Sequence, residues 1–231
     1  TGTTRVGPPI PVSDWNGAGL EATAGEMDEA TDTQEVAFSV ENKPDSVDLW
    51  VTDTQGRFLG RMNGILVNQI PGAIILCRKG GGTPRFLVPP GLAFTITVEG
   101  TRLTASDTVG VTVTGEGTML EVDDLILAAG QTDTFFFSPA GNRVVHVLGG
   151  SEVSSLFLCF HGAEEDYTFA ASDIQAGVGT QLEFAVEFDE GRLRVSNQNA
   201  ASPAALILSA CRIDDEGEDY FENDDFFLDT D

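Results

Sequence analysis

Short apolar runs, cut by turns that carry glycine or proline, constrain this chain more than any motif does. In Val47-Asp48-Leu49-Trp50-Val51-Thr52 the apolar residues fall mainly on every second position, the pattern of a strand with one buried face. After Asp53-Thr54-Gln55-Gly56 the run Arg57–Met62 returns as a hairpin. About eight such runs precede Gly115-Glu116-Gly117: 36–40, 47–52, 57–62, 65–70, 74–77, 85–88, 92–98 and 107–114. About eight more follow it: 119–127, 134–137, 143–148, 154–160, 167–170, 182–188, 192–196 and 204–211. Residues 125–129 also have helix-forming character, but the flanking pattern favours a strand. No repeat of fixed period is present, which speaks against a solenoid or propeller.

Many short strands with glycine and proline turns predict an all-β chain. Two sets of runs predict two jelly-roll-like β-barrels or sandwiches, with extended arms at both ends. The expected division is an N-terminal arm over 1–34, a first barrel over 35–116, a second over 117–212 and an acidic, aromatic C-terminal arm over 213–231. Gly115-Glu116-Gly117 is then the joint between barrels. If the second barrel is instead an insertion in the first, a further crossing is needed, for which Asn197-Gln198-Asn199-Ala200 is suited. In the N-terminal arm, Pro8-Pro9-Ile10-Pro11 favours extended backbone, and the helix formers between Glu21 and Gln34 are interrupted by Gly25.

Charge sets the environment. The 231 residues carry 37 acids against 12 bases, a formal net charge of −25. Only two of the bases are lysines, Lys43 and Lys79. Such self-repulsion disfavours a compact chain at low ionic strength. At molar salt the Debye length shrinks to about 3 Å and the repulsion is largely screened. The composition therefore reads as halophilic. With no basic patch, direct nucleic-acid binding is not expected. No apolar stretch is long enough for a membrane helix, and Thr1-Gly2-Thr3-Thr4-Arg5 has no leader-like apolar region.

Candidate chemistry is sparse. Cys77, Cys159 and Cys211 lie far apart with no CxxC pair, so zinc is not indicated; they read as buried thiols, with a bond between chains as the alternative. His146 falls on the same strand face as Val144 and Leu148, as a structural histidine. His161 precedes Glu164-Glu165-Asp166, with which it could ligate a metal, although a polar turn is the simpler reading. Cys159 and His161 share a strand face, but nucleophilic catalysis requires the base within hydrogen-bond reach and a third group to orient it. Asp123-Asp124 and Asp214-Asp215 are pairs that so acidic a chain produces by chance. The run Asp214–Asp219 lacks the spacing of an EF-hand loop. No catalytic, cofactor or metal site is expected, and the chain reads as a non-enzyme. Tyr220, Phe221, Phe226, Phe227 and Leu228 are interleaved with acids. A disordered acidic tail is poor in aromatics, so these five read as docking residues for a neighbouring subunit, with packing on their own domain as the alternative.

High-salt composition, arms at both ends and two sets of strand runs such as Val109-Gly110-Val111-Thr112-Val113 give a combination that resembles the larger of the two major capsid proteins of tailless, internal-membrane icosahedral viruses of haloarchaea, the sphaerolipovirus group. The resemblance covers the whole chain through length, charge, arms and strand pattern. It implies a structural role in a virion shell, with one barrel upright and the other stacked on it as a tower. It also implies partners: further copies of the chain and a smaller single-barrel capsid protein, in capsomers close to an internal membrane. Neither half is assigned to base or tower. The competing reading is a secreted carbohydrate- or ligand-binding β-sandwich of a halophile; a cupin-like enzyme would need more histidines than two. Lowering KCl from molar to about 0.1 M is expected to unfold the protein or disperse its assemblies, as followed by circular dichroism and sedimentation. Full stability in dilute buffer would contradict the halophilic reading.

Overall fold

The computed structural model describes residues 10–11, 34–40, 46–77, 84–115, 117–150, 152–162, 165–198, 204–214 and 217–228. The chain is all-β. The first-half strands are β1 (Ile10–Pro11), β2 (Gln34–Val40), β3 (Asp48–Asp53), β4 (Phe58–Met62), β5 (Ile65–Asn68), β6 (Ile74–Leu76), β7 (Arg85–Val88), β8 (Phe94–Glu99) and β9 (Asp107–Gly115). There follow β10 (Thr118–Leu127), β11 (Thr132–Phe137), β12 (Arg143–Val147), β13 (Glu152–His161), β14 (Asp166–Gln175), β15 (Gln181–Glu187), β16 (Arg192–Gln198), β17 (Ala204–Asp214) and β18 (Gly217–Leu228). All sixteen expected runs form strands. The helix formers of the N-terminal arm, most of the Lys79–Pro84 loop and part of the 197–200 segment lie outside the described residues.

The strands form two antiparallel nine-stranded sheets. Sheet A has the order β1-β5-β4-β3-β8-β11-β12-β15-β16, and sheet B the order β18-β17-β14-β13-β10-β9-β2-β7-β6. They face each other as a sandwich around one core, in which Phe169 of sheet B meets Phe184 of sheet A edge to face at 5.7 Å. Alternation explains the core. In β8, Phe94, Ile96 and Val98 are buried; in β9, Val109, Val111 and Val113 are. Burying each such side chain contributes about 1.5–3 kcal/mol. The closure that the word barrel implies is absent: each sheet ends in an edge strand on either side among the described residues.

From β9 onward the path is regular. The hairpins β9–β10, β13–β14 and β17–β18 join sheet B, while β11–β12 and β15–β16 join sheet A. Each new hairpin pairs with the previous one of its own sheet, through β10–β13, β12–β15 and β14–β17. This topological repeat has no fixed sequence period: the sheet B hairpins begin at Asp107, Glu152 and Ala204, 45 and then 52 residues apart.

Gly115-Glu116-Gly117 is the turn of the β9–β10 hairpin, with Thr118 opposite Gly115. Both sheets run through it from the first half to the second: β9 pairs with β10 in sheet B, and β8 with β11 in sheet A. Gly117 has φ +82°, a left-handed conformation that costs a residue with a Cβ about 1 kcal/mol or more, and its carbonyl accepts from His161 N at 3.0 Å. The Asn63-Gly64 pair between β4 and β5 has φ of 54° and 74°, the two positive values that suit a two-residue hairpin.

Register shifts interrupt three ladders, and on β10 and β14 they keep apolar residues on the inner face where their spacing in sequence is odd. Val122 lies opposite Val111 and Leu125 opposite Val109, so three steps on β10 match two on β9, and Asp123-Asp124 occupy the surplus. The same happens at Asp173 (φ 50°) between Ser172 and Gln175, which brings Ala171 and Ile174 both inward. On β18 the surplus falls between Asn223 and Phe226.

The C-terminal segment expected as an arm contains β18, which pairs with β17 from Asp214↔Gly217 to Ala204↔Leu228. Leu228 packs against the core. Gly117→Val is expected to lower stability by about 1–2 kcal/mol in chemical denaturation. A smaller loss than at an exposed strand position would contradict the hairpin role of this residue.

Candidate functional site

Asp133 on β11 and His146 on its neighbour β12 lie on the inner face, both fully buried; His146 is opposite Phe135, so Asp133 is its diagonal neighbour. His146 Nε2 is 3.1 Å from Asp133 Oδ1, and its ring stacks on Phe135 at 4.2 Å between centroids. Asp133 also accepts from Gly149 N at 3.1 Å and Gln131 Nε2 at 2.8 Å. Burial, the largest single influence, pushes this carboxyl up; the hydrogen bonds and the charge of His146 together outweigh it and hold it below its ordinary value of 3.8. The pair ties two strands together within the core. His146 thus has a structural role, on a face that is fully rather than half buried.

Asp53 performs a comparable task at the surface turn of β3–β4. Its carboxylate accepts from Gln55 N at 2.8 Å, Arg57 N at 2.9 Å and Arg57 Nε at 2.6 Å. Burial pushes it up, and these bonds hold it below the ordinary value.

On the outer face of sheet B, Cys159 Sγ lies 3.5 Å from His161 Nε2, and His161 Nδ1 lies 3.1 Å from Asp166 Oδ1. Both geometric conditions for a Cys–His pair, a base within reach and an orienting carboxylate, are therefore met. Burial, then the Asp166 charge, push the Cys159 thiol up, away from the thiolate that attacks. His161 Nδ1 lies only 3.8 Å from the same sulfur, so the ring lies side-on to the thiol rather than aiming one nitrogen at it. Among the described residues no group of three or more His, Cys, Asp or Glu is placed to hold a metal ion.

All three cysteines are free thiols. Cys159 pairs with Thr168, and Thr168 with Cys211. The two thiols thus lie two strand spacings apart, about 9–10 Å, beyond the reach of a disulfide. Both are buried, while Cys77 is exposed.

The outer face of sheet A differs from what the composition suggests. One cross-strand row runs Val67, Gly60, Trp50, Thr97, Thr134 and Val147, then on to Gln181 and Gln198. The next runs Phe58, Thr52, Thr95, Phe136, Val145 and Glu183, then Ser196. Glu183 is the one carboxylate in the two rows, and it is fully buried. Its Oε2 accepts from Arg143 Nε at 2.8 Å and Gln198 Nε2 at 2.7 Å, and its Oε1 accepts from Arg194 Nη2. Arg143 also lies over the Phe136 ring, 5.9 Å from its centroid. Two arginines on one carboxylate leave one positive charge. Elsewhere Arg192 faces both Glu187 and Glu190, and Arg212 faces Glu165 and Asp214. Asp48 also has two arginines near it, Arg61 and Arg102, but at the rim of the face, where it pairs with Glu99.

Of the expected docking residues, Tyr220 is 66% exposed and Phe221 48%. Leu228 is turned to the core, and the side chains of Phe226 and Phe227 lie outside the described residues. The carboxylate-poor rows of sheet A were not foreseen. The signal available was the run of threonines at every second position in Thr95, Thr97 and Thr132, Thr134.

Asp133→Asn is expected to cost about 2–4 kcal/mol, because it leaves His146 and Gly149 imperfectly paired in the core. Since the folded pKa of Asp133 is depressed, its contribution is complete above about pH 4 and is lost as pH falls through the folded value. Thermal midpoints from pH 6 to 2 should therefore fall less steeply in the variant than in wild type. Parallel curves would contradict the bonded carboxylate. Comparison with protein-family models, with curated proteins and with solved structures gives no match.

Proposed function

We propose that this chain is a structural subunit of a protein shell, a major capsid protein of a virus that assembles at high salt. On this proposal the halves 35–116 and 117–212 are two jelly-roll-like units fused edge to edge. Neighbouring copies and a smaller single-barrel capsid protein complete the capsomer, in the virion shell near an internal membrane. The observation that carries the proposal is the pair of surfaces on this sandwich that ask for a neighbour. At one end of sheet B, β18 is an edge strand that exposes Tyr220 and Phe221; at the other, β6 exposes Ile74 at 49% and Leu76 at 40%. Edge strands left open in this way pair with other chains unless they are covered. Support also comes from the described titratable clusters, whose geometry fixes strands rather than facing a substrate. Exposed Cys77 is the thiol best placed for a bond between chains.

A second reading, a carbohydrate-binding sandwich, draws on Trp50 and Phe136 lying on one flat face, the arrangement that suits stacking on a sugar ring. The shell reading predicts that purified protein at molar KCl sediments as oligomers or particles, and that electron micrographs show regular assemblies. A monomer at every concentration, retained on an immobilised polysaccharide, would overturn it.

A further inference from the structure

We propose that the carboxylate-poor middle of the outer face of sheet A receives the acidic C-terminal strand β18 of a second copy of this chain. The inference rests on the shell reading and names the two surfaces that meet. With a net charge of −25, two copies repel wherever carboxylates face one another, and burying an unpaired carboxylate at a contact is costly even when salt screens the repulsion. The central rows of sheet A offer a way around that cost. Across seven strands they present Trp50, Phe136 and four threonines, and their one carboxylate, Glu183, is already enclosed by Arg143 and Arg194. The arginines remain 35% and 52% exposed, so the face has unused donors and one net positive charge.

β18 has the complementary chemistry. It carries Glu218, Asp219, Glu222, Asp224 and Asp225 and no base. Tyr220 pairs with Cys211 and Phe221 with Ala210, so the two aromatics leave opposite faces of the strand. Both are nevertheless exposed, and the Asp219 side chain is 83% exposed. Acids that meet Arg143 and Arg194, beside Tyr220, the more exposed of the two aromatics, on Trp50 and Phe136, make a contact with a polar rim and an apolar centre. At molar salt the apolar burial supplies most of the affinity, and charge decides which surfaces can touch. Because face and strand are different surfaces, the contact is head to tail. It leaves each copy with one free face and one free strand, and such contacts build rings or extended arrays.

The test uses the full chain at molar KCl in sedimentation velocity. Thr134→Glu places an unpaired carboxylate in the middle of these rows. Thr112→Glu makes the same change on the outer face of sheet B, as the control. A third protein carries Tyr220→Ser and Phe221→Ser, both at exposed positions. Wild type and Thr112→Glu are expected to associate alike, while Thr134→Glu and the double serine variant weaken association about tenfold or more. Mixed one to one, those two weakened proteins are expected to form a heterodimer, since one retains an intact strand and the other an intact face. Association of Thr134→Glu at wild-type strength, or equal damage by Thr112→Glu, overturns the proposal and leaves the shell reading standing. Failure of the mixture to pair overturns the head-to-tail geometry. Wild type that stays monomeric, or that binds a polysaccharide through this face instead, overturns both readings. Thermal midpoints within a few degrees of wild type confirm that each variant is folded.

Discussion

Two backbone ladders in the middle of the molecule, β8 with β11 in sheet A and β9 with β10 in sheet B, are the constraint on which the rest depends. Without them each half would present open edges in both sheets. With them the edges disappear into hydrogen bonds, and apolar residues of both sheets and both halves close over one core. The core residues on either side belong to the two halves alike: Val98 and Phe94 from the first, Phe135 and Phe137 from the second, with Phe94 stacked on Phe137 at 4.9 Å. Each later hairpin then has only one place to go, beside the last hairpin of its own sheet. Growth of this kind is close to one-dimensional, and it leaves unsatisfied edges only at the ends.

Two buried carboxylates of this stack are paired across strands. Asp133 with His146 ties β11 to β12, and Glu183 with Arg143 and Arg194 ties β15 to β12 and β16. These contacts set register, because a slip of one residue would place each carboxylate without its donors. The fully enclosed Glu183 has a second consequence. It removes the last uncompensated acid from the middle of a broad face, in a chain whose charge otherwise keeps copies apart.

Most of the fold was legible in the sequence because alternation survives in a two-layer sandwich: strands such as β8, β9 and β11 bury every second residue. All-β class and sixteen strand positions follow from that alone. Three things did not. The link between halves reads as a joint because Gly115-Glu116-Gly117 is locally only a turn, and whether it separates domains depends on which distant strands pair. The topological repeat leaves no period because bulges at Asp123-Asp124, Asp173 and Asp224-Asp225 and unequal loops shift the spacing. β18 was hidden by its composition, since five acids among twelve residues and a bulge interrupt the alternation of its apolar residues. As for sites, the Cys159–His161 proximity was legible as i, i+2 neighbours. Asp166 joins them only through the β13–β14 register, and the carboxylate-poor rows exist only once seven strands lie side by side.

If the two ladders bind the halves into one cooperative body, native-state hydrogen exchange measured by residue at molar salt tests this most directly. Amides of 94–99, 107–115, 118–127 and 132–137 are expected to exchange only through global unfolding, with one common free energy and one common denaturant slope. Exchange of either half at a lower free energy, with protection lost across β8–β11 and β9–β10 first, would contradict a continuous sandwich.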